Sequence, residues 1–284
     1  LMTIELLSTE VLNPKQLPPL PGINLLQLTE LTSGFFLSSI RIGAFLLSTP
    51  LFGARYVILP VRIVITMMLA TIIFSGLPEN FASSFQETSL PNFLTIILKE
   101  IAIGLTGGLL LTIWFSAAAL AGEKIATSCG LGYAMQVDPS SGTSSPVISQ
   151  IFNLFLIVIF VSIDGHLLVL RTLMDSYALI PIGSNLNFGI MIANGITAAG
   201  SMFLAATIIM LPIAGLTLMV NITIGIITRS APTLNLFSFG FPITILAAFI
   251  VLYFSTNSLA FSFSDLIREA IETLQTYIED LSNG

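Results

Sequence analysis

The chain is poor in charge, which excludes most classes of soluble protein. Only 8% of its 284 residues are Asp, Glu, Lys or Arg, whereas soluble domains carry roughly 25%. No charged residue occurs from Ser176 to Thr228 or from Ser230 to Ser264. Because a spanning helix needs about 20 mostly apolar residues, each of these runs can hold at least one. The sequence therefore predicts an integral membrane protein.

Residues that support catalysis are also scarce. The chain has one cysteine, Cys129, and one histidine, His166. A single cysteine excludes an internal disulfide and a cysteine metal cluster, and His166 has no second histidine to help it bind a metal. Asp164-Gly165-His166 is predicted to form a turn that satisfies its own polar groups. We therefore predict no catalytic, cofactor-binding or metal-binding residue.

The charges that are present give a net charge of −6 and lie largely toward the two ends of the chain. Acidic residues precede the first apolar run and follow the last, so no basic patch is available for nucleic acid or anionic lipid. The first residues lack both a basic stretch and a small-residue cleavage site. They are therefore not predicted to be a signal peptide.

Six apolar segments predict an all-α membrane protein. They cover residues 35–54, 56–77, 93–121, 147–170, 189–227 and 239–261. The fifth is too long for one ordinary span, and Pro212 in its middle predicts a kink or a break. We expect an N-terminal extension with a Pro-rich stretch at 1–34, a main domain at 35–264 and an acidic amphipathic tail at 265–284. Lys and Arg in the odd-numbered connectors place those connectors in the cytoplasm.

Four charged residues lie inside the first three apolar segments. Arg41 and Arg62 are in the first two segments, and Lys99 and Glu100 are in the third. At the centre of a membrane helix such a residue costs at least about 2.5 kcal/mol, so it normally faces protein or water. One interpretation is a polar pathway or an ion pair between subunits. The other is that long side chains extend toward the membrane interface.

The third segment contains the spacing Gly104-xxx-Gly108. Small residues four apart let two helix backbones approach closely. Close helix packing is the expected result, and it fits both a transporter and a subunit of a larger assembly.

Residues 130–146, GLGYAMQVDPSSGTSSP, differ from everything around them. They show neither a helical apolar stripe nor strand alternation, and they combine three glycines, the turn signal Asp138-Pro139 and the bulky Tyr133 and Met135. Non-helical backbone at membrane depth is tolerated only where protein buries it or where it lines a watery cavity. Two interpretations remain open at this point, an ordinary cytoplasmic loop and a gate or plug.

Four blocks of sequence, taken in order, carry a family resemblance. They are residues 41–63, 121–142, 163–183 and 211–245, and they span most of residues 35–260. With them the chain resembles the FliR family of the bacterial flagellar export apparatus, which is related to the SctT proteins of type III secretion injectisomes. The Gly-Glu-Lys-Ile and Val-Asp-Pro patterns resemble the flagellar branch more closely.

The resemblance implies a non-catalytic subunit of a protein export gate. Such a subunit combines with FliP-like and FliQ-like proteins in a hetero-oligomer, and together they form the gated channel for unfolded flagellar subunits. FlhB-like and FlhA-like proteins dock around this channel. The implied location is the bacterial inner membrane at the flagellar basal body, in contact with lipid and without nucleic acid. The implied architecture is a set of helical hairpins packed in a right-handed spiral with the partner subunits.

The resemblance also assigns roles to residues. The loop matching 130–146 projects into the closed channel and plugs it, so the expected gate residues are Gly130, Tyr133, Met135, Val137, Asp138, Pro139 and Gly142. The expected subunit contacts are Arg41, Arg62, Gly104, Gly108 and Arg229. Arg229 belongs to ITRSAPTLN at 227–235, which is predicted to form a tight turn between the last two helices.

Two other functions compete with this interpretation. A small-molecule secondary transporter would use a broken helix near Pro212 and buried charge for coupling, and it predicts internal inverted repeats. A membrane scaffold without a channel predicts that residues 130–146 tolerate deletion.

Overall fold

Seven helices make up the described part of the chain. The computed structural model describes residues 25–54, 56–76, 90–131, 146–231 and 240–283, with side chains from residue 32 onward. The helices are α1 (Leu25–Ser48), α2 (Leu59–Gly76), α3 (Leu90–Ser128), α4 (Val147–Ser162), α5 (Gly165–Leu179), α6 (Phe188–Ser230) and α7 (Phe241–Asn283). The predicted all-α fold is confirmed.

Proline marks the start of three of these helices. The second residue of α2, α3 and α7 is Pro60, Pro91 and Pro242, respectively. Proline suits the first turn because the backbone N–H that it lacks would have no partner within the helix there. At the start of α6 the side chain of Asn187 instead accepts a hydrogen bond from the amide of Gly189, at 3.0 Å.

Three helices are much longer than the membrane is thick. α3 has 39 residues, and α6 and α7 have 43 each. At 1.5 Å per residue they extend about 58 and about 64 Å, whereas the hydrocarbon core measures about 30 Å. By length and composition α2, α3, α6 and α7 could each cross a membrane, and the bent pair α4–α5 could form a fifth span. α1 contributes a shorter apolar helix, Thr32–Ser48.

The predicted fourth span, residues 147–170, is not one straight helix. The chain bends by 69° between α4 and α5, and Asp164 at the bend has the left-handed φ of 56°. The turn predicted at Asp164-Gly165-His166 is therefore confirmed, and residues 147–170 could cross a membrane only as part of the bent pair α4–α5, not as one straight helix. The apolar pattern continues across the bend, so hydropathy alone does not reveal it.

The fifth and sixth segments also differ from expectation. α6 continues through Pro212 as one helix, so the break considered there does not occur. Pro is tolerated within long helices at membrane depth because neighbouring groups can satisfy the backbone that it frees. α7 joins the sixth apolar segment and the acidic tail in one helix that ends at Asn283.

α3 is the central helix, and it packs against α1, α4, α6 and α7. Its Trp114 indole N–H donates to Thr273 of α7 at 3.1 Å, and its Phe115 ring meets Phe160 of α4 edge to face, with centroids 5.2 Å apart. α6 and α7 form a long hairpin, closed near its far end by a 3.1 Å hydrogen bond from Asn194 to Asp280.

Much of the apolar surface is exposed in the single chain. Ala70 is the one buried residue of α2, and in α7 the rings of Tyr253 and Phe254 are 77% and 79% exposed. Contiguous apolar surface of this extent marks contact with a membrane or with another protein. These helix faces must therefore be covered by lipid or by other subunits.

Candidate functional site

The predicted gate segment begins and ends on described residues. Gly130, Leu131 and Pro146 have described positions, whereas residues 132–145 lie outside the described residues. The gate predictions for Tyr133, Met135, Val137, Asp138, Pro139 and Gly142 therefore lie outside as well. What the structure defines is the place where this segment leaves the helices.

The first end of the segment is fixed at the end of α3. Gly130 has a φ of 82°, and a Cβ at this position would lie 2.5 Å from Cδ1 of Phe241 at the start of α7. Only glycine combines this backbone conformation with so close an aromatic neighbour. The Cys129 carbonyl accepts from the Thr244 hydroxyl at 3.4 Å, and the Ser128 carbonyl accepts from the Asn221 side chain at 3.0 Å.

The second end of the segment also rests on α3. The Ser149 hydroxyl, in the first turn of α4, donates to the carbonyl of Ala119 at 2.9 Å. A Cβ on Gly122 would lie 2.6 Å from the Cα of Ser149, so the two helices touch backbone to backbone. We call Gly122, Gly130, Ser149, Phe241 and Thr244 the loop base. Both ends of the predicted gate segment are therefore held on one helix.

Sequence reasoning did not find most of the loop base. Gly122 and Phe241 lie within the blocks that carry the family resemblance, but neither received a role. Phe241 and Thr244 resemble ordinary residues of an apolar helix, and only the fold brings them to the end of α3.

Arg41 is fully buried and makes an ion pair within the chain. Its Nε donates to Oε2 of Glu100 at 2.8 Å, and the two side chains are 0% and 1% exposed. Its Nη1 donates to the carbonyl and the hydroxyl of Ser176 at 3.0 and 3.2 Å, and its Nη2 donates to the carbonyl of Ile180 at 2.9 Å. The guanidinium carbon also lies 4.3 Å from the centroid of the Tyr177 ring.

The position of Arg41 explains how its charge is tolerated. Ser176 and Ile180 lie at the C-terminal end of α5, where unpaired carbonyls give a helix its partial negative charge. The guanidinium therefore lies between that helix end and a carboxylate. The interpretation that Arg41 extends toward the membrane interface does not hold, since its side chain is fully buried within the chain.

Glu100 and Lys99 both contact the connector between α5 and α6. The amide of Gly183 donates to Oε1 of Glu100 at 3.3 Å. The Lys99 ammonium donates to the Ser184 carbonyl at 3.1 Å and to Oδ1 of Asn185 at 3.4 Å. We call Arg41, Lys99, Glu100 and the backbone of residues 180–185 the connector clamp.

Gly104 and Gly108 lie where α3 crosses α1. A Cβ on Gly104 would collide with the backbone carbonyl of Arg41, and one on Gly108 would lie 2.7 Å from the carbonyl of Phe45 and still closer to the Ser48 side chain. The spacing thus produces close helix packing inside this chain, as the glycine pattern predicted. Contact of either glycine with another subunit stays a prediction.

Arg62 and Arg229 have fewer partners. The Arg62 Nη2 donates to the carbonyl of Ala54 at 2.6 Å, while its buried Nε has no hydrogen-bond partner among the described residues. Arg229 is exposed in the last turn of α6, and residues 232–235 of its motif lie outside the described residues. Contacts of Arg41, Arg62 and Arg229 with other subunits stay predictions.

His166 lies in the first turn of α5, directly after the bend. Its Nδ1 is buried and has no hydrogen-bond partner in the described part of the chain. The expectation that this turn satisfies its own polar groups is therefore wrong for this nitrogen.

The chain is similar to known proteins over most of its length. Residues 32–270 match the family described as "Bacterial export proteins, family 1". The flagellar biosynthetic protein FliR of Pectobacterium carotovorum subsp. carotovorum is 29% identical over 252 residues, which cover 89% of this chain and 95% of that protein. FliR of Escherichia coli (strain K12) is 32% identical over 213 residues, which cover 74% of this chain and 79% of that protein.

A related protein of another system matches more weakly. The surface presentation of antigens protein SpaR of Shigella flexneri is 26% identical over 203 residues, which cover 71% of this chain and 77% of SpaR. The family match extends from α1 into the second half of α7 and includes the connector clamp and the loop base. The chain therefore belongs to the family of bacterial export proteins that contains the FliR proteins, and it is a membrane component of a bacterial export apparatus.

Proposed function

We propose that this chain is a non-catalytic subunit of the type III flagellar export gate. With FliP-like and FliQ-like proteins it forms the gated channel through which unfolded flagellar subunits leave the cytoplasm, and FlhB-like and FlhA-like proteins dock around it. The channel lies in the inner membrane at the flagellar basal body. The observation that carries the proposal is the family match across residues 32–270.

The exposed surface of the chain supports an assembly of several subunits. α6 and α7 extend about twice the thickness of the hydrocarbon core, so lipid cannot cover their whole length. α6 nevertheless exposes large apolar side chains along nearly its whole length, from Phe188 to Ile227, whereas those of α7 lie between Ile243 and Phe261, a stretch of about one core thickness. Partner subunits of matching apolar character would cover the part that lipid does not reach.

We also propose that residues 130–146 plug the closed channel. Small and hydroxylated residues with few bulky side chains suit a segment that must block ions and then move aside without a rigid fold in the channel. The loop base supports this proposal, because a plug needs fixed ends from which to act. Both ends of the segment are held on α3, through Gly130 at one end and Ser149 at the other.

A secondary transporter is the main alternative, and the buried Arg41–Glu100 pair is the feature that would favour it. The two side chains are 0% and 1% exposed and are bonded to each other and to the backbone of the connector. Neither is open to a coupling ion. The export gate is therefore the better supported function.

Deletion of residues 136–142 tests the plug. We expect the shortened chain to enter the assembly in normal amount and the cells to leak small ions or dyes. A control variant with seven alternating Gly and Ser residues at the same positions keeps the length and removes Val137, Asp138 and Pro139. The segment is not a plug if the deletion strain assembles the complex normally, does not leak small ions or dyes, and still exports.

A further inference from the structure

The connector between α5 and α6 is bonded to charged side chains from two other helices. Arg41 of α1 holds the Ile180 carbonyl, Glu100 of α3 holds the Gly183 amide, and Lys99 of α3 holds the Ser184 carbonyl. Connecting segments usually lie at the surface, where water can bond their backbone groups. Here the backbone groups are bonded to side chains, of which Arg41 and Glu100 are fully buried.

This connector has a special place in the chain. It joins the first five helices to the α6–α7 hairpin, since α5 ends at Leu179 and α6 begins at Phe188. Gly183 within it has a φ of 86°, a backbone conformation that glycine adopts most readily. The direction in which the chain leaves this turn determines where α6 begins.

Stability alone does not account for a buried ion pair. Replacing such a pair by apolar residues of similar volume is often neutral or stabilising, whereas removing one partner leaves an uncompensated charge. What the pair adds here is geometric, because both of its members also bond the backbone of the connector. We infer that Arg41 and Glu100 are positioning residues, and that the connector clamp fixes where the α6–α7 hairpin stands on the first five helices.

A set of variants of the full chain in detergent tests this inference. Arg41→Met and Glu100→Leu are made singly and together, and amide hydrogen exchange is measured along the chain. Each single variant should reduce the yield of folded chain at least about tenfold, and the double variant should recover it to within about twofold. Within residues 180–187 the amides of Ile180, Gly183 and Ser184 have acceptors in the described part of the chain. In the double variant these amides should exchange at least about tenfold faster than in the parent, while those in the middle of α3 stay protected.

The matched control is the exposed pair Arg171–Asp175. Its atoms lie 3.8 Å apart and its side chains are 80% and 66% exposed. Replacing both by Ala should change neither yield nor exchange at 180–187. If the Arg41→Met/Glu100→Leu chain folds and exchanges at 180–187 at the parent rate, the pair only stabilises the fold and the inference is wrong. Single variants that fold as well as the parent would also overturn it.

Lys99→Met supplies a second test should the double variant not fold. It removes the outer contacts to Ser184 and Asn185 and leaves Arg41 and Glu100 in place. We expect a full yield of folded chain, with faster exchange confined to the amide of Ser184, which donates to the Pro181 carbonyl at 3.1 Å. Unchanged exchange there would contradict the clamp.

Recovery of partner subunits gives a further readout, which rests on the proposed function. The double variant, although folded, should retain fewer FliP-like and FliQ-like proteins than the parent, because its hairpin is no longer fixed. A parent chain that retains none of them would refute the proposed function, while the exchange rates at 180–187 would still decide the inference.

Discussion

The two ends of α3 are fixed by opposite kinds of chemistry. Near its start, the connector clamp joins three helices through buried charges and hydrogen bonds of 2.8–3.3 Å. At its other end, the loop base relies on small residues and one aromatic ring, with Gly122 against Ser149 and Gly130 against Phe241. Charged hydrogen bonds of the first kind define one geometry, whereas the second end combines close fit with hydrogen bonds between neutral groups, such as the 2.9 Å bond from Ser149 to the Ala119 carbonyl. Both ends of α3 are thus held, one by charged groups and the other by close contact of neutral groups, and the proposed plug would move between ends that stay in place.

The largest expected effect is at the connector clamp. Glu100→Ala leaves the Arg41 guanidinium buried without its carboxylate, which should lower the free energy of unfolding by about 3–5 kcal/mol. Thermal unfolding of the purified chain in detergent measures this effect. The control Asp175→Ala removes the carboxylate of an exposed pair and should change the free energy of unfolding by only about 0–1 kcal/mol. Equal effects of the two variants would mean that burial of the charge is unimportant.

A somewhat smaller loss of stability is expected from a substitution where α1 crosses α3. Gly108→Ala places a methyl group against the carbonyl of Phe45 and the side chain of Ser48, so the helices must separate, and we expect a loss of about 1–3 kcal/mol. Gly200→Ala is the matched control, because a Cβ there meets nothing within 4 Å. In a helix interior that change should stabilise by about 0.5–1 kcal/mol. If thermal unfolding shows that both variants change the free energy of unfolding in the same direction, the packing argument is refuted.

At the loop base, Gly130→Ala tests how closely the ends of the proposed plug are held. The methyl group would meet the Phe241 ring, and the residue would have to keep a left-handed φ, at a total expected loss of about 1–3 kcal/mol. Phe241→Leu combined with Gly130→Ala should recover part of that loss in the same measurement. If Phe241→Leu recovers nothing, the ring does not limit this site.

The smallest effect is expected at Cys129. The thiol is buried, and burial raises its pKa to about 11. Since the thiolate is the reactive form and is only a small fraction of the thiol at a pH well below that pKa, alkylation of the folded chain at pH 8 should be very slow. After unfolding, the pKa returns to near 8.5 and alkylation should become fast. Rapid alkylation of the folded chain, followed by mass spectrometry, would show that the loop base opens.

Local features of the fold could be predicted from sequence, and distant pairings could not. The apolar segments and the close packing at Gly104 and Gly108 follow from local sequence patterns, whereas the starts of α2, α3 and α7 differ from the predicted starts at 56, 93 and 239 by two or three residues. The bend at Asp164 was predicted only as a turn, because the apolar pattern continues on both sides. Pro212 predicted a kink or a break, and the break is excluded because α6 continues through it as one helix.

For the functional site, too, the sequence predicted local features but not contacts between distant residues. The family resemblance located the 130–146 segment, but the loop base depends on Phe241 and Ser149, which carry no chemical signature of their own. Arg41 and Glu100 were both noticed as charges in apolar segments. Their pairing was not predicted, because 59 residues separate them in the chain and only the packing of α1 on α3 brings them together.

Co-purification from the native cells tests the central claim most directly. A tagged chain is extracted in mild detergent, and every protein that stays bound is identified by mass spectrometry. We predict a complex far larger than the 30.4 kDa chain that contains FliP-like and FliQ-like proteins. A chain recovered as a monomer or dimer, with none of these partners, would contradict the proposed export gate.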